Sequence, residues 1–196
     1  MGTGTILLAA GGSTRLGGEP KQLLLHKGEP LVRYVAGMAL SVQAGPVVAV
    51  LGAHGPQIAQ ALAGVPIHLV YNSNWPTGLA SSLKAGLLAL PLHQLDAVLI
   101  LLTDQPYVTT ALLHDLIAMR RQTGRGIIAS FYAGQVGVPA LFDKRYVAEL
   151  LTLEGDTGAK NLIQRHHTDC AHVAFALGAI DLDTQQDVAN WRERSE

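Results

Sequence analysis

The segment from Ala10 to Pro20, A-G-G-S-T-R-L-G-G-E-P, followed by Lys21, concentrates the residues of this chain that could do chemistry. Gly11, Gly12, Gly17 and Gly18 leave the loop poor in Cβ atoms, so its backbone N–H groups can approach an anion closely. Arg15 and Lys21 add two fixed positive charges. The loop follows an apolar run, Thr5 to Ala9, that reads as a buried strand. A strand feeding a glycine-rich, cationic loop is the construction expected of a polyphosphate cradle at the carboxyl edge of an α/β sheet. Two familiar phosphate loops fail on spacing. A P-loop needs Lys and Ser or Thr directly after the second glycine of G-x-x-x-x-G, whereas Gly18 and Glu19 follow Gly12 and Gly17. A dinucleotide fold needs G-x-G-x-x-G and an acidic residue ending the second strand, which here runs from Val47 to Leu51 into Gly52, Ala53 and His54. Gly28 lies beyond the loop and reads as an ordinary turn.

The elements that must position this loop alternate along the whole chain, apolar runs with longer amphipathic segments, the pattern of βαβ units and a mainly parallel sheet. Strands are expected near Thr5–Ala10, Val47–Leu51, Ile67–Tyr71, Ala97–Leu102, Gly126–Phe131 and His172–Phe175. Helices are expected over Leu31–Val42, Pro56–Ala63, Leu79–Leu90, Thr110–Arg121, Lys144–Leu151, Gly158–His166 and Gln185–Arg194. No repeat or linker marks a second domain, so residues 1–196 read as one α/β domain, Rossmann-like, its sheet flanked by helices.

In such sheets ligands gather at the carboxyl ends of strands. The run Ala97–Leu102 ends in Thr103 and Asp104, placing a carboxylate just past a fully apolar stretch; Asp104 alone would equally suit a turn before Pro106. Ile67–Tyr71 leads through Asn72 to Gly78 into a helix carrying Ser81, Ser82 and Lys84, whose first turn is expected to offer free N–H donors and two hydroxyls. Lys84 also fits an ordinary polar helix face. Asp181, Asp183 and Asp187 fit a helix start capped by Asp183 or Thr184, and a capping carboxylate can also meet a metal. His54 reads as structural, His166 and His167 as partners of a helix dipole, and Cys170 as a small buried hydrophobe.

Composition narrows the partners. Hydrophobic residues make up 48% and charged residues 15%, below the roughly 25% typical of soluble domains, which suits a sheet covered on both faces. A net charge of −1 gives no basic field for nucleic acid. The single cysteine excludes an intrachain disulfide and a multi-thiolate zinc site, and a reducing cytoplasm is the expected location. The run Ile6 to Ala10 is too short for a secretory segment, and no stretch approaches the roughly 20 apolar residues needed to span a bilayer.

Taken together, LLAAGGSTRLGGEPKQLL, NWPTGLASSLKAGL, LLTDQP and IDLDTQQD resemble the molybdenum cofactor nucleotidyltransferases, nearest to the cytidylyltransferase branch, over Thr5 to Val188. The resemblance implies a fold of the nucleotide-diphospho-sugar transferase type. It implies that Ala9, Ala10, Gly11 and Gly12 hold base and phosphates, that Arg15 and Lys21 bind the triphosphate, and that Gly78, Ser81 and Ser82 contact the nucleoside. Arg15, Lys21 and Asp104 would be catalytic. Asp104 and Asp183 would hold Mg²⁺, with Asp181 as a substitute for Asp183. The segments Gly137–Phe142 and Gly155–Lys160 would face the acceptor or the reacting phosphates. Val138 stands where some members have His, and Lys160 where many have Arg, which leaves the acceptor open. The implied partners are CTP, a phosphorylated small-molecule acceptor such as molybdenum-molybdopterin and a molybdoenzyme maturation factor. A polyol phosphate acceptor, or a nucleotide sensor without turnover, is the alternative.

The chemistry stands without the family. Attack on an α-phosphate builds negative charge on the departing pyrophosphate, so a metal ion, Lys and Arg are the parts required.

Overall fold

The computed structural model describes residues 2–195; Met1 and Glu196 of the expected domain lie outside the described residues. Strands β1 (Gly2–Ala9), β4 (Val47–Leu51), β5 (His68–Tyr71), β6 (Leu95–Leu102), β7 (Ile127–Tyr132), β8 (Gln135–Asp143) and β9 (Cys170–Ala174) form one sheet in the order β5-β4-β1-β6-β8-β7-β9. A two-stranded hairpin, β2 (Leu25–His26) and β3 (Glu29–Pro30), turns at Lys27 and Gly28, both at positive φ. Gly28 therefore serves the turn expected of it.

Side chains of β1 alternate between two cores, as a strand buried on both faces requires. Leu7 and Ala9 join Leu99 and Leu101 on one face, under α1 (Leu31–Ser41), α2 (Gly55–Ala61), α4 (Thr110–Thr123) and α7 (Gln185–Ser195). Ile6 and Leu8 join Val98 and Ile100 on the other, under α3 (Leu79–Ala89), α5 (Val147–Leu150) and α6 (Ala159–Arg165). The expected helix from Lys144 starts as a 3₁₀ turn, Lys144–Tyr146, before α5. No helix among the described residues is long and apolar enough to cross a membrane.

The pairs β1/β4, β1/β6, β4/β5 and β7/β9 are parallel, so the mainly parallel sheet is present. The strand of the main sheet absent from the sequence expectation is β8, which runs antiparallel to both β6 and β7. Its signal was masked by Gly137 and Pro139, which demote a strand reading. The ladder with β7 skips there: Ala129 pairs with Ala140 and Ser130 with Gly137, so Val138 and Pro139, joined by a cis peptide, bulge out of register. Bulges of this kind re-aim side chains beside sites.

Close packing of α3 on the sheet depends on Gly86, where a Cβ would stand 2.6 Å from Ile6 Cγ2 and 3.0 Å from Val50 Cγ2. Gly86→Ala is expected to destabilise the fold by about 1–3 kcal/mol through overpacking. Gly37→Ala on α1, with nothing within 4 Å of the new methyl, is expected to stabilise it by roughly 0.5–1 kcal/mol. Thermal or denaturant unfolding of the two variants measures both, and a stable Gly86→Ala would contradict the packing described.

Candidate active site

The glycine loop leaves β1 at the carboxyl edge and makes one 3₁₀ turn, Thr14–Leu16, closed by Gly17 at φ 70° and Gly18 at φ 88°. A second 3₁₀ turn, Lys21–Leu23, is tied to the loop by the Lys21 N–H donating to Ser13 Oγ at 3.1 Å. The carbonyls from Ala9 to Gly12 face protein groups. Gln22 Nε2 donates to Ala9 O at 3.3 Å and Gly11 O at 3.0 Å, the Ala53 N–H donates to Ala10 O at 3.2 Å, and His54 Nε2 lies 3.4 Å from Gly12 O. The N–H groups of Gly11 and Gly12 have no partner among the described residues.

Lys21 carries the centre of the site. Its Nζ donates to Asp104 Oδ2 at 2.7 Å and to Asp183 Oδ1 at 2.6 Å. Burial alone would push the ammonium's pKa down; the charge of Asp104 and its hydrogen bond, then those of Asp183, outweigh burial and raise it. Two oxygens sharing one nitrogen at these distances lie close together, so the two expected metal ligands meet. Arg15 extends from the loop at the rim, largely exposed, its Nη1 3.7 Å from Asp183 Oδ2.

Asp183 reaches this place by an unexpected route. It does not follow a strand; it follows a 3₁₀ turn, Ala176–Ala179, and an extended segment whose Leu182 N–H donates to Asp104 O at 3.2 Å. Helix α7 is capped by Thr184, not Asp183. Thr184 Oγ1 accepts from the Asp187 N–H at 3.2 Å, and Asp187 Oδ2 accepts from the Thr184 N–H at 2.8 Å, a reciprocal cap that leaves the Asp183 carboxylate to the site. Burial, then the charges of Asp183 and Asp104, push the Asp181 carboxyl above the usual range.

A divalent ion fits Asp104 and Asp183. Asp104 Oδ1 is buried without a hydrogen-bond partner among the described residues, Lys21 being bonded to Oδ2, and Lys21 already places a cation between the carboxylates. No group of three or more His, Cys, Asp or Glu among the described residues could hold a metal ion by itself, so the remaining ligands would be water and substrate phosphate.

The start of α3 differs from expectation. The Ala80 N–H donates to Gly155 O at 3.0 Å and the Ser81 N–H to Gly78 O at 3.2 Å, so these donors are taken. Asn72 Nδ2 donates to Ser81 Oγ at 2.9 Å and Ser82 Oγ at 3.1 Å, and Ser81 Oγ lies within 2.9 Å of the carbonyls of Asn74 and Gly78. Ser81 thus secures the helix start, while Ser82 lines the cleft below the loop. Gly78, at φ 114°, meets the next loop so closely that a Cβ would stand 2.2 Å from the Gly155 carbonyl carbon.

Two clefts adjoin here. One, of about 380 Å³, is lined by Ala10, Gly11, Gly12, Lys21, Trp75 and Asp104 among others. Its neighbour, of about 500 Å³, is lined by Leu83, Ile100, Tyr132, Val138 and Lys160 among others, and Leu8, Leu79, Leu102 and Asp156 border both. Lys160 Nζ donates to Gln135 Oε1 at 2.6 Å, and the Val138 carbonyl accepts from Gln105 Nε2 and Tyr132 OH, each at 3.1 Å.

Residues 5–170 match the MobA-like NTP transferase domain. The chain belongs to this family. Among curated relatives, nicotine blue oxidoreductase of Paenarthrobacter nicotinovorans is 30% identical over 169 residues, 82% of this chain and 80% of that protein. Among solved structures, Rv0371c of Mycobacterium tuberculosis H37Rv superposes with a TM-score of 0.85 at 27% identity, covering 98% of both chains, and Rv0371c has also been crystallised with manganese. The 4-diphosphocytidyl-2C-methyl-D-erythritol synthase of Anaerococcus prevotii, at 18% identity and a TM-score of 0.76 over 98% of this chain and 95% of that one, shares the fold. The fold is that of the nucleotide-diphospho-sugar transferases.

With the ammonium between the carboxylates of this family member, a bare divalent ion must compete with it. Two charges at about 4 Å interact by roughly 4 kcal/mol near a protein surface. Lys21→Met is therefore expected to bind Mn²⁺ without nucleotide roughly 10-fold or more tightly than the parent, read by electron paramagnetic resonance. Equal or weaker binding would show that Asp104 and Asp183 form no cation seat.

Proposed function

We propose that this family member transfers CMP from CTP to a phosphorylated acceptor, molybdopterin carrying molybdenum, and releases pyrophosphate. The observation that carries the reading is the Lys21 bridge between Asp104 and Asp183 at the head of a loop whose Gly11 and Gly12 N–H groups have no partner among the described residues. Those N–H groups and Arg15 would take the triphosphate. Lys21, freed from the carboxylates when a nucleotide arrives, would hold the phosphates in line and offset charge growing on the departing pyrophosphate. Mg²⁺ held by Asp104 and Asp183 would supply Lewis-acid polarisation of the phosphoryl oxygens. The acceptor's phosphate oxygen forms the bond to the α-phosphorus, the bond from that phosphorus to the bridging oxygen breaks, and pyrophosphate leaves with the electron pair. A phosphate monoester, with a second pKa near 6, is already mostly dianionic at neutral pH and needs no general base.

The second cleft bears on the acceptor. Leu8, Leu79, Leu83, Ile100, Leu102 and Val138 make its wall largely aliphatic. Such a wall suits the face of a flat ring system, whose polar edge could meet Asp156, Thr157 and Asn161, better than a polyol phosphate, whose hydroxyls would lose water against the aliphatic side chains. Lys160 offers the acceptor's phosphate a cation. We place the enzyme in the cytoplasm, with a molybdoenzyme maturation factor receiving the product. Nicotine blue oxidoreductase is named for redox chemistry, but a triad of one ammonium and two carboxylates is suited to phosphate and a cation.

A pyrophosphate-release screen of four NTPs against molybdopterin and polyol phosphates tests the proposal; nucleotide binding without pyrophosphate from any acceptor would support a sensor. CTP is expected over GTP by roughly 10- to 200-fold in kcat/KM, the scale of a methyl-sized difference in a pocket. The methyl is that of Ala10, only 5% exposed and packed over Gly52, so it constrains the base through the position of the loop floor. Equal values, or a preference for GTP, would overturn the cytidylyl assignment alone.

Lys21→Ala is expected to lower kcat by about 10² or more in folded protein, since a preorganised charge at the reacting phosphate is typically worth a few kcal/mol. Arg15→Ala should raise KM for the nucleotide. Near-normal kcat in Lys21→Ala would remove the lysine from the chemistry.

A further inference from the structure

Gln22 is 1% exposed, lines the nucleotide cleft and has no part in the steps above. We infer that Gln22 is the positioning residue of the loop: its amide fixes the peptide orientations that turn the loop into an anion receptor. The inference rests on the nucleotidyl-transfer reading only in taking that anion to be a triphosphate.

The orientation of the amide follows from its partners. Both contacts are made to backbone carbonyl oxygens, Ala9 O at 3.3 Å and Gly11 O at 3.0 Å, which can only accept. The atom facing them is therefore the nitrogen, and Oε1 is left buried without a partner. In a planar trans peptide the carbonyl of one residue and the N–H of the next point in opposite directions. Holding the Ala9 and Gly11 carbonyls toward Gln22 turns the N–H groups of Ala10 and Gly12 away from it. The Ala53 N–H, bonded to Ala10 O at 3.2 Å, sets the intervening peptide and with it the Gly11 N–H. A glycine pair has little steric preference to hold such an arrangement by itself. One side chain therefore orders two alternate peptides, from the position directly after the lysine that meets the same ligand.

The unpartnered oxygen separates positioning from stability. Gln22→Leu removes a buried, unsatisfied acceptor along with the two donor bonds, so the fold should not weaken in proportion to any loss of binding. The full-length chain, Gln22→Leu and Gln22→Glu are compared by calorimetry with CTP, CMP and inorganic tripolyphosphate, alongside Tm. Gln22→Leu is expected to bind CTP and tripolyphosphate roughly 10-fold or more weakly, with CMP changed far less and Tm within a few degrees of the parent or above it. Gln22→Glu sets a carboxylate against two carbonyl oxygens and should bind tripolyphosphate more weakly still at pH 8, with recovery as the pH falls and the protonated acid regains an O–H donor. An equal loss for CMP and CTP, or unchanged tripolyphosphate binding in both variants, would overturn the inference. Loss of tripolyphosphate binding in a protein that shows no turnover with any nucleotide would leave the inference standing and remove the transferase reading.

Discussion

One ammonium group organises this site. Lys21 bonds a carboxylate 83 residues away in sequence and another 162 residues away, and both bonds are short. Without that cation Asp104 and Asp183 would face each other as like charges. The carboxylates in turn keep the lysine charged against the pull of burial. The free protein is thus held in a ligand-ready arrangement by a counterion that belongs to the chain. In the proposed reaction, Lys21 would turn from the carboxylates to the phosphates of an arriving nucleotide, and Asp104 and Asp183 would be left to hold a divalent cation. Exchange of partners, with little net change in charge, limits the reorganisation that binding requires.

The central strands were legible because burial on both faces leaves an unbroken apolar run, and β1, β4 and β6 lie where those runs lie. The loop after β1 and Asp104 after β6 could be found for the same reason, since a polar residue ending such a run sits at the carboxyl edge. Strand β8 was not legible, because Pro139 and Gly137 argue locally against a strand and the pairing that overrides them is tertiary. Asp183 is named by resemblance alone; a 3₁₀ turn and one backbone bond to Asp104 place it, and neither has a sequence pattern. A serine at a helix start serves a ligand or its own backbone equally well, so the sequence does not show that Asn72 and nearby carbonyls bond Ser81 here. Gln22 was passed over because one glutamine beside a lysine carries no signal until the carbonyls above it are seen.

The second cleft shows how an irregularity in the sheet shapes a cleft wall. A regular β8 would keep Val138 and Pro139 in the ladder with β7. The bulge takes them out of it, and the Val138 carbonyl is then fixed by Gln105, one residue past Asp104, and by Tyr132 at the end of β7. The proposed metal seat and acceptor wall would therefore be connected through the neighbouring residues Asp104 and Gln105. Displacement of the bulge would act on the Asp104 loop through Gln105.

The position of Asp183 needs a further support, because a carboxylate on an irregular segment has no ladder to hold it. Helix α7 supplies it. The Thr184–Asp187 cap fixes the first turn directly after Asp183, and two turns on Trp191 is buried with its ring stacked on His26, centroids 5.5 Å apart at 28°. His26 lies in β2, five residues past Lys21, with its edge against Tyr34 at 4.5 Å and Tyr107 at 6.5 Å. Burial, then the charge of Lys27, lower the pKa of His26, so the ring packs in its neutral form as one more aromatic. Tyr107 follows Asp104 by three residues. The segments carrying Lys21, Asp104 and Asp183 thus meet twice, once through charge at the cleft and once through aromatic packing behind it. Apolar ring packing depends little on salt, so it would keep the three segments together were Lys21 to release its carboxylates to a ligand.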